Sequence, residues 1–134
     1  MLDITPSKAL IGGLFLLMLA IHLWALWTAA YFYIWWLDML MHFLGGVFVG
    51  MNALFWFRRR PLDGFLLFWV ILGSAAIVGV TWEFLEFLLG HFFSNAWPQV
   101  FVQSELTDTL SDLFFDFAGG ASAVFLFKKG ETKL

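Results

Sequence analysis

Residues 108–127 read DTLSDLFFDFAGGASAVFLF. Asp108, Asp112 and Asp116 recur every four residues, so a helix carries all three on one face. Gly119, Gly120 and Ala123 continue that face as small residues, while Leu113, Phe114, Phe115, Phe117, Phe125 and Leu126 supply a large apolar surface. Twenty residues at about 1.5 Å rise span about one hydrocarbon thickness of a bilayer. The stretch therefore predicts a membrane-crossing helix with one acidic, small-residue face turned away from lipid.

Three further stretches have the same length and apolar character, at residues 8–30, 38–57 and 64–90. The chain has 134 residues, 62% of them hydrophobic and 21% aromatic, with 13% charged, and a mean hydropathy of +0.87. A soluble domain of this size buries too small a fraction of its surface to hide so much apolar area. The expected fold class is all-α: a polytopic four-transmembrane-helix bundle, one transmembrane domain over residues 1–134. The first apolar run, residues 9–31, exceeds the roughly 7–15 residues of a signal-peptide core and is read as a retained helix.

Charge sets the expected orientation. All seven basic residues fall on one side: Lys8, then Arg58, Arg59 and Arg60, then Lys128, Lys129 and Lys133. The positive-inside rule puts both termini and the Arg58–Gly64 loop in the cytoplasm, N-in and C-in. Net charge of −3 argues against a nucleic-acid partner. With no cysteine, thiolate ligands and cysteine nucleophiles are excluded. The opposite loops are aromatic: Tyr31 to Trp36 suits the headgroup level, and the segment 91–106 is expected to lie in the interface or fold over the spans.

Seven of the ten acidic residues lie toward that outer side: Asp38, Glu83, Glu86, Glu105, Asp108, Asp112 and Asp116. Asp38 opens the second span, with His42 one turn below. Glu83 and Glu86 occupy the last turns of the third. His22, Glu83 and Asp116 sit roughly 10–12 Å below the outer boundary, and His42 about 6 Å. Groups from all four helices thus share one depth. Below them run small residues: Gly46 and Gly50, Gly79 and Ala76, Gly119 and Gly120, which permit close helix contact in lipid. An ionised carboxylate near a span's centre costs about 2.5–3.5 kcal/mol, so Glu83, Glu86, Asp112 and Asp116 unpaired would cost on the order of 10 kcal/mol at most. That rivals a domain's whole stability of roughly 5–15 kcal/mol. No Lys or Arg lies on this side to offset it, leaving protons, the histidines or a bound cation.

Carboxylates with one or two imidazoles suit Mg²⁺, Mn²⁺, Zn²⁺ or non-haem iron. The expected ligands of such a divalent metal ion are Asp38, His42, Glu83, Glu86, Asp108, Asp112 and Asp116, with His42 and Glu83 as the catalytic groups. Each has a plainer alternative. Asp108 follows Thr107 and can serve the N–H groups and dipole of a helix start, and Asp38 can do the same. Asp112 and Asp116 are too deep for that. His22 can simply bond between helices. Glu105 and His91 are expected in solvent, and Asn52 and Thr81 as packing or backbone-bonding groups.

Three segments also carry a family resemblance: Asp38-Met39-Leu40-Met41-His42-Phe43-Leu44-Gly45-Gly46, Trp82-Glu83-Phe84-Leu85-Glu86, and Asp108 through Gly120. In this order and spacing they resemble the uncharacterised bacterial inner-membrane YjdF-type family and, more distantly, VanZ-like proteins associated with teicoplanin resistance. Met39, Glu86 and Asp116 stand where the VanZ-like pattern has Lys, Gln and Asn, which favours the YjdF-type likeness. The resemblance implies a bacterial envelope protein of the inner membrane and brings no settled activity.

Three functions compete. The first is a metal-dependent enzyme acting on a membrane lipid or lipid-linked envelope substrate, the ions activating water or neutralising a phosphate. The second is a proton- or cation-coupled carrier, for which a homo-oligomer such as a dimer is admissible. The third is a non-catalytic lipid- or ligand-binding module whose site neutralises itself with shared protons. No phosphate-binding glycine loop, Ser-His-Asp arrangement or dinucleotide fingerprint points elsewhere.

Overall fold

A computed structural model describes residues 5–93, 95–96 and 106–127. Its elements are helices: α1 (Lys8–Thr28), α2 (Ala30–Tyr33), α3 (Leu37–Phe57), α4 (Gly64–Phe93) and α5 (Leu106–Leu126). All but α2 are long and apolar enough to cross a membrane, as expected from the four apolar stretches.

Helix ends follow local chemistry. The Ser7 hydroxyl accepts the Leu10 N–H at 3.1 Å and starts α1. Asp63 accepts the Leu66 N–H at 2.7 Å at the start of α4. These side chains satisfy N–H groups that a first turn leaves without partners. The first span ends two residues earlier than the expected 30, because Ala29 adopts a left-handed conformation, φ 54°. The chain then turns through α2 before entering α3. Conversely, α4 runs three residues past the expected 90. Its 30 residues reach about 45 Å, against roughly 30 Å of hydrocarbon core, so it tilts or emerges at an end.

The bundle is built around α3 and α5, which lie nearly backbone to backbone. A methyl group on Gly46 would overlap the Asp116 carbonyl, and one on Gly119 would overlap the Phe43 carbonyl. Only glycine at both positions allows this approach. Ile71 and Ala75 bring α4 against the same seam, Ala75 Cβ lying 3.1 Å from where a Gly120 Cβ would stand. Toward the basic end the seam closes into an apolar core of Val47, Met51, Leu54, Leu67, Ile71 and Ala123. Helix α1 is peripheral. It packs on α3 and α2, without backbone approach to α4 or α5. At one end, Lys8 and Arg58 both lie over the Phe55 ring, at 5.8 and 4.1 Å from its centroid.

The outward surface is apolar: Trp27, Trp56, Phe65, Phe114 and Phe125 are largely exposed. Such a continuous apolar exterior suits lipid rather than water. Polar side chains along it spend their hydrogen bonds on their own helices. Thr28, Asn52, Ser74, Thr81 and Ser122 each donate to the carbonyl four residues back, which gives each of these side chains an acceptor within its own helix.

Candidate metal centre

At the end opposite Lys8 and Arg58, the α3–α5 seam opens and its acidic residues converge. His42 is the hub. Its Nδ1 lies 3.1 Å from Asp116 Oδ2, and its Nε2 lies 3.6 Å from Glu83 Oε1. The three side chains come from three helices and are all buried. Gly79 makes room for Asp116: a Cβ there would overlap the carboxylate. Asp112, one turn nearer the end, is the most enclosed of the group at 2% exposure.

Hydrogen bonding leaves this cluster incomplete. His42 Nε2, Glu83 Oε1 and Asp112 Oδ1 are buried with no hydrogen-bond partner among the described residues. Buried polar atoms left so carry a desolvation cost of about 1–3 kcal/mol each, more when charged. The Asp116 bond also has a chemical consequence. A carboxylate on Nδ1 favours the tautomer with the proton there, leaving the Nε2 lone pair free. That is how an imidazole is presented to a metal.

Two groups of ligand atoms lie within 4.8 Å of one another: Asp38, His42 and Asp112, and His42, Glu83 and Glu86. Both share the one imidazole. Five of the seven expected ligands thus gather in two metal-sized sets. Asp116 stands one bond further out, holding His42. Asp108 is exposed in the first turn of α5 and joins neither set, a position that serves the helix start. Glu86 is additionally bound by Trp82 Nε1–H at 2.9 Å.

Other expectations resolve simply. Asn52 and Thr81 bond backbone as anticipated. His91 is exposed and stacks on Phe87. Glu105 and most of the 91–106 segment lie outside the described residues. His22 does not reach His42's partners. Its Nδ1 instead shares a 2.8 Å hydrogen bond with the Tyr31 hydroxyl, and its ring meets the edge of Trp82.

Tyr31 and Trp82 are the members that sequence reasoning missed. Tyr31 reads as one more interfacial aromatic until the turn at Ala29 folds it back toward His22. Burial, and then the negative charges of Asp38 and Glu86, hold its phenol proton well above the ordinary tyrosine range. A cavity of about 390 Å³ reaches this end from the side. His22, Tyr31, Asp38, His42, Glu86 and Asp116 line its polar part.

Comparison with known proteins yields one relationship. A family described as "Predicted membrane protein (DUF2238)" matches residues 5–131. Neither the curated proteins nor the solved structures give a match. With nearly its whole length matched and four helices fit to cross a bilayer, the chain belongs to the DUF2238 family of predicted membrane proteins.

Proposed function

We propose that the cluster binds one divalent metal ion and that the protein is a membrane-embedded enzyme acting on a lipid or lipid-linked envelope substrate. The observation that carries this is that His42 Nε2, Glu83 Oε1 and Asp112 Oδ1 are buried and unpartnered, with His42 common to two metal-sized sets, one holding Glu83 and the other Asp112. A cation in either set would answer the imidazole together with the unpartnered carboxylate beside it. Protons shared between His42 and the carboxylates are the competing way to neutralise the cluster, and metal content tells the two apart.

A single ion is favoured over a pair, because the two candidate sets share one imidazole whose other nitrogen is taken by Asp116. His42 Nε2 is then the nitrogen ligand, with oxygens drawn from Asp38, Glu83, Glu86 and Asp112. Mg²⁺, Mn²⁺, Zn²⁺ and Fe²⁺ all accept such sets. Asp116 orients the imidazole and raises its basicity. The ion would lower the pKa of a bound water and neutralise a substrate oxyanion. Whichever of Glu83 and Glu86 is not a ligand would serve as the proton acceptor.

The positive-inside rule supports an N-in, C-in orientation, with the cluster toward the outer face. The motif resemblance to YjdF-type and VanZ-like proteins supports placement in a bacterial inner membrane. A carrier is the weaker reading. Below the cluster lies the apolar core around Met51, Leu54 and Ile71, and no polar path to the basic end crosses it among the described residues.

The enzyme reading is tested by incubating detergent-solubilised protein with a total bacterial lipid extract. The protein is first stripped with chelator, then resupplied with each metal in turn, and lipids are resolved by mass spectrometry. Conversion that returns with one metal and is lost in Asp112→Asn supports it. Metal-loaded protein that changes no lipid leaves a binding module.

A further inference from the structure

The cavity beside the cluster is mostly apolar, with a small polar end. Asp38, His42, Glu86 and Asp116 of the cluster stand at that end. The apolar part is walled by Phe15 and Leu19 of α1, Phe48 and Val49 of α3, and Val78 of α4. The gap exists because α1 leans on α3 and makes no backbone approach to α4, touching it where the His22 ring meets Trp82. Leu19 and Val78 are themselves 40% and 50% exposed on the outward surface, so the groove opens sideways between α1 and α4 at the depth of hydrocarbon rather than water. His42, buried and with Nε2 unpartnered, lines the inner end.

We infer that this groove is a lateral berth for one hydrocarbon chain of a phosphate-headed lipid, which enters from the bilayer between α1 and α4 and brings its head group to the cluster. The inference rests on the metal reading above, because an uncompensated acidic cluster repels a phosphate and a bound divalent cation attracts it. Its size falls within the roughly 300–1,000 Å³ of ordinary ligand pockets. The apolar part has nothing to offer a head group, and the polar end nothing to offer a chain. An amphiphile satisfies both. A water-soluble phosphate would have no use for a mouth facing lipid.

The berth also gives a role to the weak attachment of α1. A helix held on one side can move outward to admit a chain at small cost in packing. Tyr31 and His22 join α1 to the turn above the groove through their 2.8 Å bond and mark how far the head group can rise.

The test uses vesicles of digalactosyldiacylglycerol, a phosphate-free bilayer lipid, containing the full-length protein and a small fraction of phosphatidic acid with a diazirine in its acyl chain. After irradiation, adducts are mapped by peptide mass spectrometry, and metal content is measured on the same sample. Labelling is expected at Phe15, Leu19, Phe48 and Val49, several-fold above that from a diazirine digalactosyldiacylglycerol, which has the same chains and no phosphate. Chelator should reduce it. Val49→Trp and Val78→Trp, which fill the groove away from the ligands, should reduce it several-fold while metal content stays at the wild-type level. Label spread over Trp27, Trp56 and Phe125 with none enriched in the groove overturns the berth. Equal labelling by the two lipids overturns the phosphate head group. Absence of metal in the unlabelled wild-type sample defeats the underlying metal reading, so the two failures are told apart.

Discussion

Gly119→Ala tests the seam on which the candidate site depends. The added Cβ would overlap the Phe43 carbonyl and stand 2.8 Å from the Val47 nitrogen. Comfortable contact needs about 3.5 Å, so α3 and α5 must separate by roughly 1 Å. Backbone cannot rotate away as a side-chain tip can. The same displacement stretches the 3.1 Å His42–Asp116 bond to about 4 Å, past hydrogen-bonding range. Overpacking costs about 1–3 kcal/mol, and losing a buried charge-assisted bond about 1.5–3 kcal/mol. Alanine's better helix propensity returns about 1 kcal/mol. The expected net loss is about 1.5–5 kcal/mol, read as a lowered thermal midpoint by circular dichroism in mild detergent. Gly13→Ala is the control, since nothing lies within 4 Å of its would-be Cβ; it should be neutral or gain up to about 1 kcal/mol. Equal stability of Gly119→Ala and wild type would refute the close α3–α5 approach.

Four further outcomes are expected. Asp116→Asn should weaken metal retention about 10–100-fold by releasing the tautomer of His42, measured by competition with a chromogenic chelator. Asp108→Asn, at an exposed position outside both ligand sets, should leave metal retention unchanged in the same assay. Tyr31→Phe should cost about 1 kcal/mol through the lost His22 bond without loss of metal. The phenol's raised pKa, caused by burial and then by Asp38 and Glu86, fixes a sign. Above about pH 10 the unfolded chain releases this proton while the folded chain keeps it, so stability falls as pH rises. Melting curves across that range should show the fall in wild type and a smaller one in Tyr31→Phe.

The parts of this molecule legible in its sequence are those set by periodicity and by the bilayer. Four apolar stretches gave four helices, and the i, i+4, i+8 spacing of Asp108, Asp112 and Asp116 located one polar face. The small residues beneath them anticipated which faces meet, since backbones approach only where side chains are absent. Depth along each helix groups His22, His42, Glu83 and Asp116, and of these the structure joins His42, Glu83 and Asp116. Depth alone could not rank them. Asp108 shares the face of Asp112 yet lies beyond the seam's enclosure, and His22 shares the depth of Glu83 yet sits on the peripheral helix. Tyr31 was illegible for a different reason: its place depends on one left-handed alanine, and no spacing rule foretells that. The 3.1 Å bond that makes Asp116 a support for His42 rather than a member of a ligand set is likewise a matter of side-chain geometry.

The most direct test of the central claim is metal content. Protein purified in mild detergent without chelator should carry about one equivalent of a divalent metal by elemental mass spectrometry. His42→Ala and Asp112→Asn should lose it while remaining folded by circular dichroism. Well-folded wild type that contains no metal, and takes up none on exposure to Mg²⁺, Mn²⁺, Zn²⁺ or Fe²⁺, would contradict the account.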